Sequence, residues 1–264
     1  MPPGKRPSVS CATIRFLILA LAAHVSGESG FAYDTELRDL DVSHWFCLGK
    51  PVGAATHPDE QERNLMKNRN APASPPLNVE QLGTISFLKK VAAYDAELKV
   101  ERRADLDQTG KQRLLAYENQ IVSLTGWLVL AYPGQAESAN CNDATFHDWH
   151  LELFLQSSDH PPQPGDSTPI ICEVTPRAEK VLYDQGVRLR PSAAFIRLSD
   201  NSYQSMRHPP RKIRVTGYLM WDDLHNGPEA VGPKVKFVGN DKLHHPWRAT
   251  AWEIHPVLKL DMVD

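Results

Sequence analysis

The sequence predicts a mostly β fold: a small closed barrel of five strands behind an irregular, partly helical N-terminal segment. Two observations point to this class. Runs rich in β-branched and aromatic residues recur after residue 119, and each is bounded by turn-forming residues such as Pro, Gly and Asn. A short helical pattern interrupts these runs once, between the third and the fourth. Three strands, a helix and two more strands are the order of a Greek-key barrel of the OB type.

Each strand is predicted by its own pattern. Residues 121–130 are rich in β-formers and end at a Tyr-Pro-Gly turn. Residues 147–155 alternate, which places Trp149 and its apolar neighbours on one face and the polar residues Asp148, His150 and Glu152 on the other. The remaining three predicted strands are residues 170–174, 213–221 and 248–262.

The helix and the strand glycines complete the barrel pattern. Thr175 is a candidate N-cap, Pro176 suits the first helical position, and the helical pattern runs to Tyr183. The first and fourth strands share a Thr-Gly-aromatic-Leu sequence around Gly126 and Gly217. A glycine inside a strand is typical of a bulge or a sharp bend, which a small closed barrel needs.

The predicted barrel domain spans residues 119–264, and residues 28–118 form the accessory segment before it. Residues 59–69 predict a short helix, because Asp59 and Glu60 suit its first turn and Lys67 and Arg69 its last. Residues 79–93 show apolar residues partly at helical spacing, and residues 111–118 predict one more helical turn.

Residues 1–27 have the layout of a secretory signal peptide. Three basic residues precede the apolar run 16–25, and small or turn-forming residues follow it. Cleavage is expected after Gly27, with cleavage after Ala32 as the alternative. The run is short for a bilayer span, so a permanent anchor is the second interpretation. The sequence therefore predicts an exported protein, periplasmic or extracellular, with no membrane span after cleavage.

Charge and composition exclude two classes of protein. The 264 residues contain 29 Lys and Arg against 32 Asp and Glu, and removal of the three basic residues in 1–27 leaves a mature net charge of −6. That balance excludes a nucleic-acid binder that acts through bulk positive charge. No run of 18 apolar residues occurs, which excludes a protein with several membrane spans.

Removal of residues 1–27 takes away one of the four cysteines, Cys11. Two of the remaining three are expected to pair in an oxidising compartment. Cys141 and Cys172 flank neighbouring predicted strands, so they are the preferred disulfide. The alternative is that Cys47 and Cys172 are small buried apolar residues.

Several motifs in the barrel region resemble those of a known group of proteins. The chain resembles an uncharacterised group of exported bacterial proteins with an OB-like core, in which the last strand carries a Trp-Glu-Ile-His-Pro signature, here residues 252–256. The other segments that carry the resemblance are residues 137–141, 148–153, 172–176, 215–225 and 248–257, with a weaker match at residues 62–69. The resemblance implies a fold and a compartment, and it implies no activity.

Histidines and acids recur on the predicted strands and at their ends. The candidate metal ligands are His150, His225, Glu253 and His255, and the candidate supporting residues are Asp148, Glu152, Asp222 and Asp223. Imidazole and carboxylate together suit Zn²⁺ or a similar divalent ion. Their spacing matches no established metal motif, so the alternative is that they are hydrogen-bonded supports. The pair His244-His245, beside Pro246, is expected to be solvated. No cofactor is predicted beyond this candidate metal.

Three functions remain open. The leading prediction is a non-enzymatic binding or structural module with an unknown ligand, because no Gly-x-Ser-x-Gly elbow and no phosphate-binding glycine loop occur. The second is a metal-dependent hydrolase that uses the His and acid residues. The third is binding of single-stranded nucleic acid or another anionic polymer, since OB barrels often stack bases on aromatic side chains. For this third function the candidate basic residues are Arg207, Arg211, Lys212 and Arg214, and Trp127 is one of the candidate aromatics.

Overall fold

The computed structural model describes residues 35–72, 78–240 and 242–263. The predicted signal peptide and both candidate cleavage positions lie outside these ranges. None of the helices in the described ranges combines the length and the apolar composition that a bilayer crossing requires.

The described chain contains four α-helices and ten strands. The helices are α1 (Pro58–Lys67), α2 (Thr84–Leu98), α3 (Gln108–Glu118) and α4 (Pro176–Asp184). The strands are β1 (Glu80–Gly83), β2 (Ile121–Pro133), β3 (Trp149–Phe154), β4 (Ile170–Val174), β5 (Phe195–Arg197), β6 (Tyr203–Ser205), β7 (Lys212–Trp221), β8 (Phe237–Val238), β9 (His244–His245) and β10 (Trp252–Met262).

Five of these strands close into the predicted barrel. β2 pairs with β3, β3 with β4, β4 with β10, β10 with β7, and β7 returns to β2. Only the β4–β10 pair within this ring is parallel, and α4 lies between β4 and β7 in the chain. The prediction of an OB-like barrel with a helix between its third and fourth strands is confirmed.

The barrel closes because β2 is long enough to pair with two neighbouring strands. Its first half pairs with β7 and its second half with β3, and the two registers meet at Trp127. Gly217 of β7 faces the irregular part of β10, where the register shifts on both sides of Val257. A Cβ atom at Gly217 would lie 2.4 Å from the carbonyl oxygen of Pro256, so glycine is required by this close approach.

The alternation predicted for the second strand is confirmed. Trp149, Leu151 and Leu153 of β3 belong to the main hydrophobic core, and so does Cys172 of β4. The opposite, outward face of these strands is polar, yet it is also buried, because α1 and two loops of the chain cover it. This covered outer face positions the candidate site.

The disulfide joins Cys47 to Cys141, with a Cα–Cα separation of 5.8 Å, so the predicted Cys141–Cys172 pair is wrong. Cys172 is a free, fully buried thiol. In β4 it points into the core between two outward-facing positions and cannot reach a loop on the outside of the barrel. Cys141 lies in such a loop, and the segment that contains Cys47 runs beside it. The backbone N–H of Ala54 in this segment donates to the carbonyl oxygen of Ser138 in the loop.

The accessory segment is more regular than its composition predicts. The first predicted helix is confirmed as α1. The second helical pattern corresponds to α2, which has the same length but begins five residues later, and the third becomes the longer α3. A short strand, β1, precedes α2 and pairs in parallel with the start of β2. This strand has only four residues, too few to show an alternation in the sequence.

Candidate functional site

The outward faces of β3, β4 and β10 carry a layer of charged side chains that the N-terminal segment and two loops cover. We call this layer the charge cluster, and its members are Lys67, Glu137, Asp148, His150, Glu173, Arg248, Glu253 and His255. Alternation places the strand members on this face, because both neighbours of His150 and of Glu173, and Ile254 before His255, belong to the core of the barrel. Glu137 is the most open member, with 26% of its side chain exposed.

Glu173 lies at the centre of the charge cluster. Its carboxylate is 2.8 Å from Nδ1 of His255, 3.4 Å from Nδ1 of His150 and 3.8 Å from Nζ of Lys67. Burial alone would raise the pKa of Glu173, but these surrounding positive charges outweigh burial and hold the pKa well below its usual value. Glu173 is therefore ionised, and it links the barrel to α1.

His255 is held between carboxylates on both sides of its ring. Nδ1 lies 3.1 Å from Glu253, and Nε2 lies 3.5 Å from Asp148. Burial opposes the charged imidazolium, yet the ion pair with Glu173 and the hydrogen bonds raise the pKa of His255 to about 10. Arg248 holds the other oxygen of Glu253 at 3.0 Å.

Two acids complete the cluster and differ in their protonation. Burial, reinforced by the charge of Glu137, raises the pKa of Asp148 to about 6. Burial acts on Glu137 in the same direction, but the ammonium of Lys67, 2.9 Å away, overcomes it and lowers the pKa of Glu137 to about 2. Asn140 donates a hydrogen bond of 2.9 Å to Asp148.

The cluster brings together three of the four predicted metal ligands: His150, Glu253 and His255. His225 does not join them. It lies in the short 3-10 turn after β7, where Nδ1 is 2.6 Å from Asp222 and the side chain is 46% exposed. In this turn the His225 side chain contacts Asp222 and faces solvent, away from the other three residues, so the predicted set of four ligands does not form.

Asp222 and Asp223 support a second, adjoining network rather than the metal ligands. Arg63 of α1 donates to Asp223 at 3.1 Å, and the backbone N–H of Arg103 donates to the same carboxylate at 2.9 Å. Asp222 lies 3.5 Å from Arg248, which connects this network to the charge cluster. Both predicted supports thus hold α1 and the chain before α3 against the barrel.

Sequence reasoning missed four members of the cluster: Lys67, Glu137, Glu173 and Arg248. A signal was present, because all four lie in the motif segments that carry the family resemblance. An acid within the apolar run 170–174 was a further signal, since a buried charge requires a partner.

The predicted support Glu152 lies outside the charge cluster, against the buried His244. The two side chains are 3.4 Å apart, and both are fully buried, so the expectation that His244 is solvated is wrong. Burial raises the pKa of Glu152 to about 8 and lowers that of His244 to about 3. At neutral pH both groups are therefore uncharged.

This pair gives a testable pH dependence. In the folded protein Glu152 keeps its proton up to about pH 8, whereas its ordinary pKa is 4.5, so stability falls as pH rises through this range. His244 acts in the opposite sense, but only below its ordinary pKa of 6.5. Between pH 6.5 and 8, Glu152→Gln should make the fall in stability smaller, with a gain on the order of a few kcal/mol at pH 8. The fall that remains comes from His255, whose pKa is about 10 in the folded protein and 6.5 ordinarily. Urea unfolding at several pH values measures this free energy of unfolding for the wild type and the variant.

The matched control for this experiment is Glu229→Gln, at an exposed position. It should leave the slope of unfolding free energy against pH unchanged. A wild-type slope that Glu152→Gln does not alter would contradict the assignment of a buried, neutral Glu152.

A separate surface cavity of about 400 Å³ lies where α2 begins beside β2. Its walls combine apolar surface from Ile85, Trp127 and Leu155 with the ammonium groups of Lys89 and Lys212. Gly126 forms part of the floor, and a Cβ atom there would lie 3.1 Å from the methyl group of Thr84. Glycine therefore allows α2 and β2 to approach closely at this cavity.

Both lysines of the cavity are exposed, and within the described ranges neither forms an ion pair. The Lys212 ammonium lies 6.0 Å from the centre of the half-buried Trp127 ring. Of the predicted basic residues, Lys212 lines the cavity, and Arg211 precedes it on the exposed surface.

Compared with known proteins, the chain matches no family model, no curated protein and no solved structure. The resemblance to exported bacterial proteins with a Trp-Glu-Ile-His-Pro signature stays a prediction. The charge cluster and the cavity are the two features from which we infer function.

Proposed function

We propose that the protein is an exported, non-enzymatic binding module that takes an anionic ligand in the cavity beside Trp127. The observation that carries this proposal is a concave site next to an indole ring with two ammonium groups, Lys89 and Lys212, that form no ion pair with any described residue. A volume of about 400 Å³ is in the ordinary range of ligand sites.

The charge cluster supports the non-enzymatic half of the proposal. Its central groups, Glu173 and His255, are no more than 1% exposed, and both are paired within the chain: Glu173 with Lys67 and His255, and His255 also with Glu253. A substrate has no path to groups buried in this way. The cluster acts as the connection between the accessory segment and the barrel.

The chemistry of the cavity favours an anionic polymer with planar units, of which single-stranded nucleic acid is the simplest. A base can stack on Trp127, and the adjacent phosphates can pair with Lys89 and Lys212. The mature charge of −6 does not oppose this binding, because screening confines electrostatic attraction to about 10 Å at 0.1 M salt.

The test is the affinity of a fluorescently labelled oligothymidylate, measured by anisotropy at several salt concentrations. The full chain should bind, with affinity that falls as salt rises by a log–log slope of about −0.7 per phosphate contact. The double variant Lys89→Glu/Lys212→Glu should bind at least ~10-fold more weakly, because two attractive charges become repulsive.

The matched control is Lys236→Glu, since Lys236 is also exposed but lies outside the cavity. It should bind as the wild type does. Binding that is undetectable, insensitive to salt or unchanged in the double variant would contradict the proposal. Affinity for a sulphated polysaccharide alone would contradict the stacking role of Trp127.

One observation favours a second candidate, the metal-dependent hydrolase. Glu137, His150 and Glu173 offer ligand atoms within 4.8 Å of one another, and the first two reach the surface of the cluster. This candidate requires turnover of nucleic acid, glycan or peptide that disappears in His150→Ala. Detection of such turnover would replace the non-enzymatic proposal.

A further inference from the structure

We infer that Asp148, Glu173 and His255 form a buried site for one divalent transition-metal ion, which holds the loop before β3 against β4 and β10. Each of the three offers a ligand atom, and these atoms all lie within 4.8 Å of one another. The three side chains are no more than 1% exposed. The site differs from the predicted ligand set, because His225 is absent and Glu253 has another role.

The site leaves two buried polar atoms without hydrogen bonds. Oε2 of Glu173 is paired with Nδ1 of His255, 2.8 Å away. Among the described residues, Oδ2 of Asp148 and Nε2 of His255 have no hydrogen-bond partner. Buried polar atoms of this kind are rare unless an ion or a water satisfies them.

Neighbouring residues orient these two atoms. Asn140 holds one oxygen of Asp148, which leaves Oδ2 for another partner. Glu253 holds Nδ1 of His255, and Arg248 in turn holds Glu253. A histidine fixed by a carboxylate through one nitrogen commonly binds a metal through the other.

The spacing of the His255 and Asp148 atoms fits a tetrahedral ion. Nε2 of His255 and Oδ2 of Asp148 are 3.5 Å apart. Two ligands at the ordinary bond length of about 2.0–2.1 Å from a tetrahedral Zn²⁺ are separated by about 3.3–3.4 Å. The two atoms therefore lie almost at the separation that such an ion requires.

The mixture of ligand types, one imidazole and two carboxylates, indicates which ion fits, and such an ion takes the place of the proton on Nε2 of His255. A mixed set of imidazole and carboxylate favours Zn²⁺ over Ca²⁺ and Mg²⁺, which prefer oxygen ligands alone. Burial of all three ligands makes the site structural.

The experiment uses the full chain after treatment with a chelator, reloaded with ZnCl₂ and freed of excess metal. Mass spectrometric elemental analysis should find one zinc per chain, and the thermal midpoint should rise by ~5 °C or more. Co²⁺ in place of zinc should give the intense visible absorption of a tetrahedral site. CaCl₂ and MgCl₂ should not shift the midpoint.

Variants locate the ion. Asp148→Asn should lose the zinc, and Asn140→Ala, which only removes an orienting hydrogen bond, should weaken zinc binding about 10–100-fold. The matched control His225→Gln, outside the site, should keep one zinc. If Asp148→Asn does not fold, the affinity of Asn140→Ala decides.

Two results would overturn the site: less than one-tenth of a zinc per chain in the wild type, or one zinc per chain that remains in folded Asp148→Asn. The first would mean that the cluster is held by imidazolium ion pairs alone. The inference does not depend on the cavity, since chelation should leave oligothymidylate affinity unchanged.

Discussion

Glu173→Gln should destabilise the protein by about 3–5 kcal/mol, measured by urea unfolding at pH 7 in the presence of a chelator. Glu173 faces Lys67, His150 and His255 in a buried layer. Glutamine preserves the shape of the side chain but removes the charge that these three groups share. Loss of one partner from a buried ion pair leaves an uncompensated charge, which is among the most costly single changes.

The matched control for Glu173→Gln is Glu80→Gln. Glu80 pairs with Lys90 at 2.8 Å, but its side chain is 51% exposed. An exposed ion pair contributes about 0–1 kcal/mol, so this variant should unfold at nearly the wild-type urea concentration. Equal, small losses in the two variants would contradict the assignment of Glu173 as the centre of the cluster.

Loss of the disulfide is expected to have an effect of similar size. Cys47 and Cys141 are 94 residues apart in the chain, so the bond closes a long loop. Restriction of the unfolded chain by such a loop stabilises a protein by about 2–5 kcal/mol. The double variant Cys47→Ser/Cys141→Ser should lose that amount in urea unfolding, and wild type treated with a reductant should behave alike.

The third cysteine provides the control for this result. Cys172 is fully buried and reduced, so a thiol assay should detect one thiol per chain in the denatured mature protein and none in the folded one. Peptide mapping without reductant should join Cys47 to Cys141. A linkage that includes Cys172, or full stability without the bond, would contradict the structure.

The barrel could be predicted because its signals are local. The alternation around Trp149 and Leu151, and the order of strands and helix, are properties of short stretches, and the structure confirms them. The disulfide could not be predicted, because proximity of Cys47 to Cys141 depends on how an irregular segment crosses the barrel surface. Cys172 points into the core because side chains alternate along β4. The sequence does not show this alternation, because all five residues of the strand are buried.

The candidate site shows the same division. Alternation predicts that His150 lies on the face opposite Trp149, which is correct. It does not predict that α1 covers this face, where Lys67 is a partner of Glu137 across 70 residues of chain. His225 was misplaced because a turn of three residues decides the direction of its side chain. Contacts between distant segments determine such details, and no local pattern encodes them.

The most direct test of the functional proposal compares two variants in one titration. Oligothymidylate affinity is measured across salt concentrations for wild type, for Lys89→Glu/Lys212→Glu in the cavity, and for Glu137→Gln at the open edge of the charge cluster. We expect salt-dependent binding by wild type and by Glu137→Gln, at least ~10-fold weaker binding by the cavity variant, and no cleaved product in any sample. Binding that survives in the cavity variant but is lost in Glu137→Gln would contradict the account and place the function in the cluster.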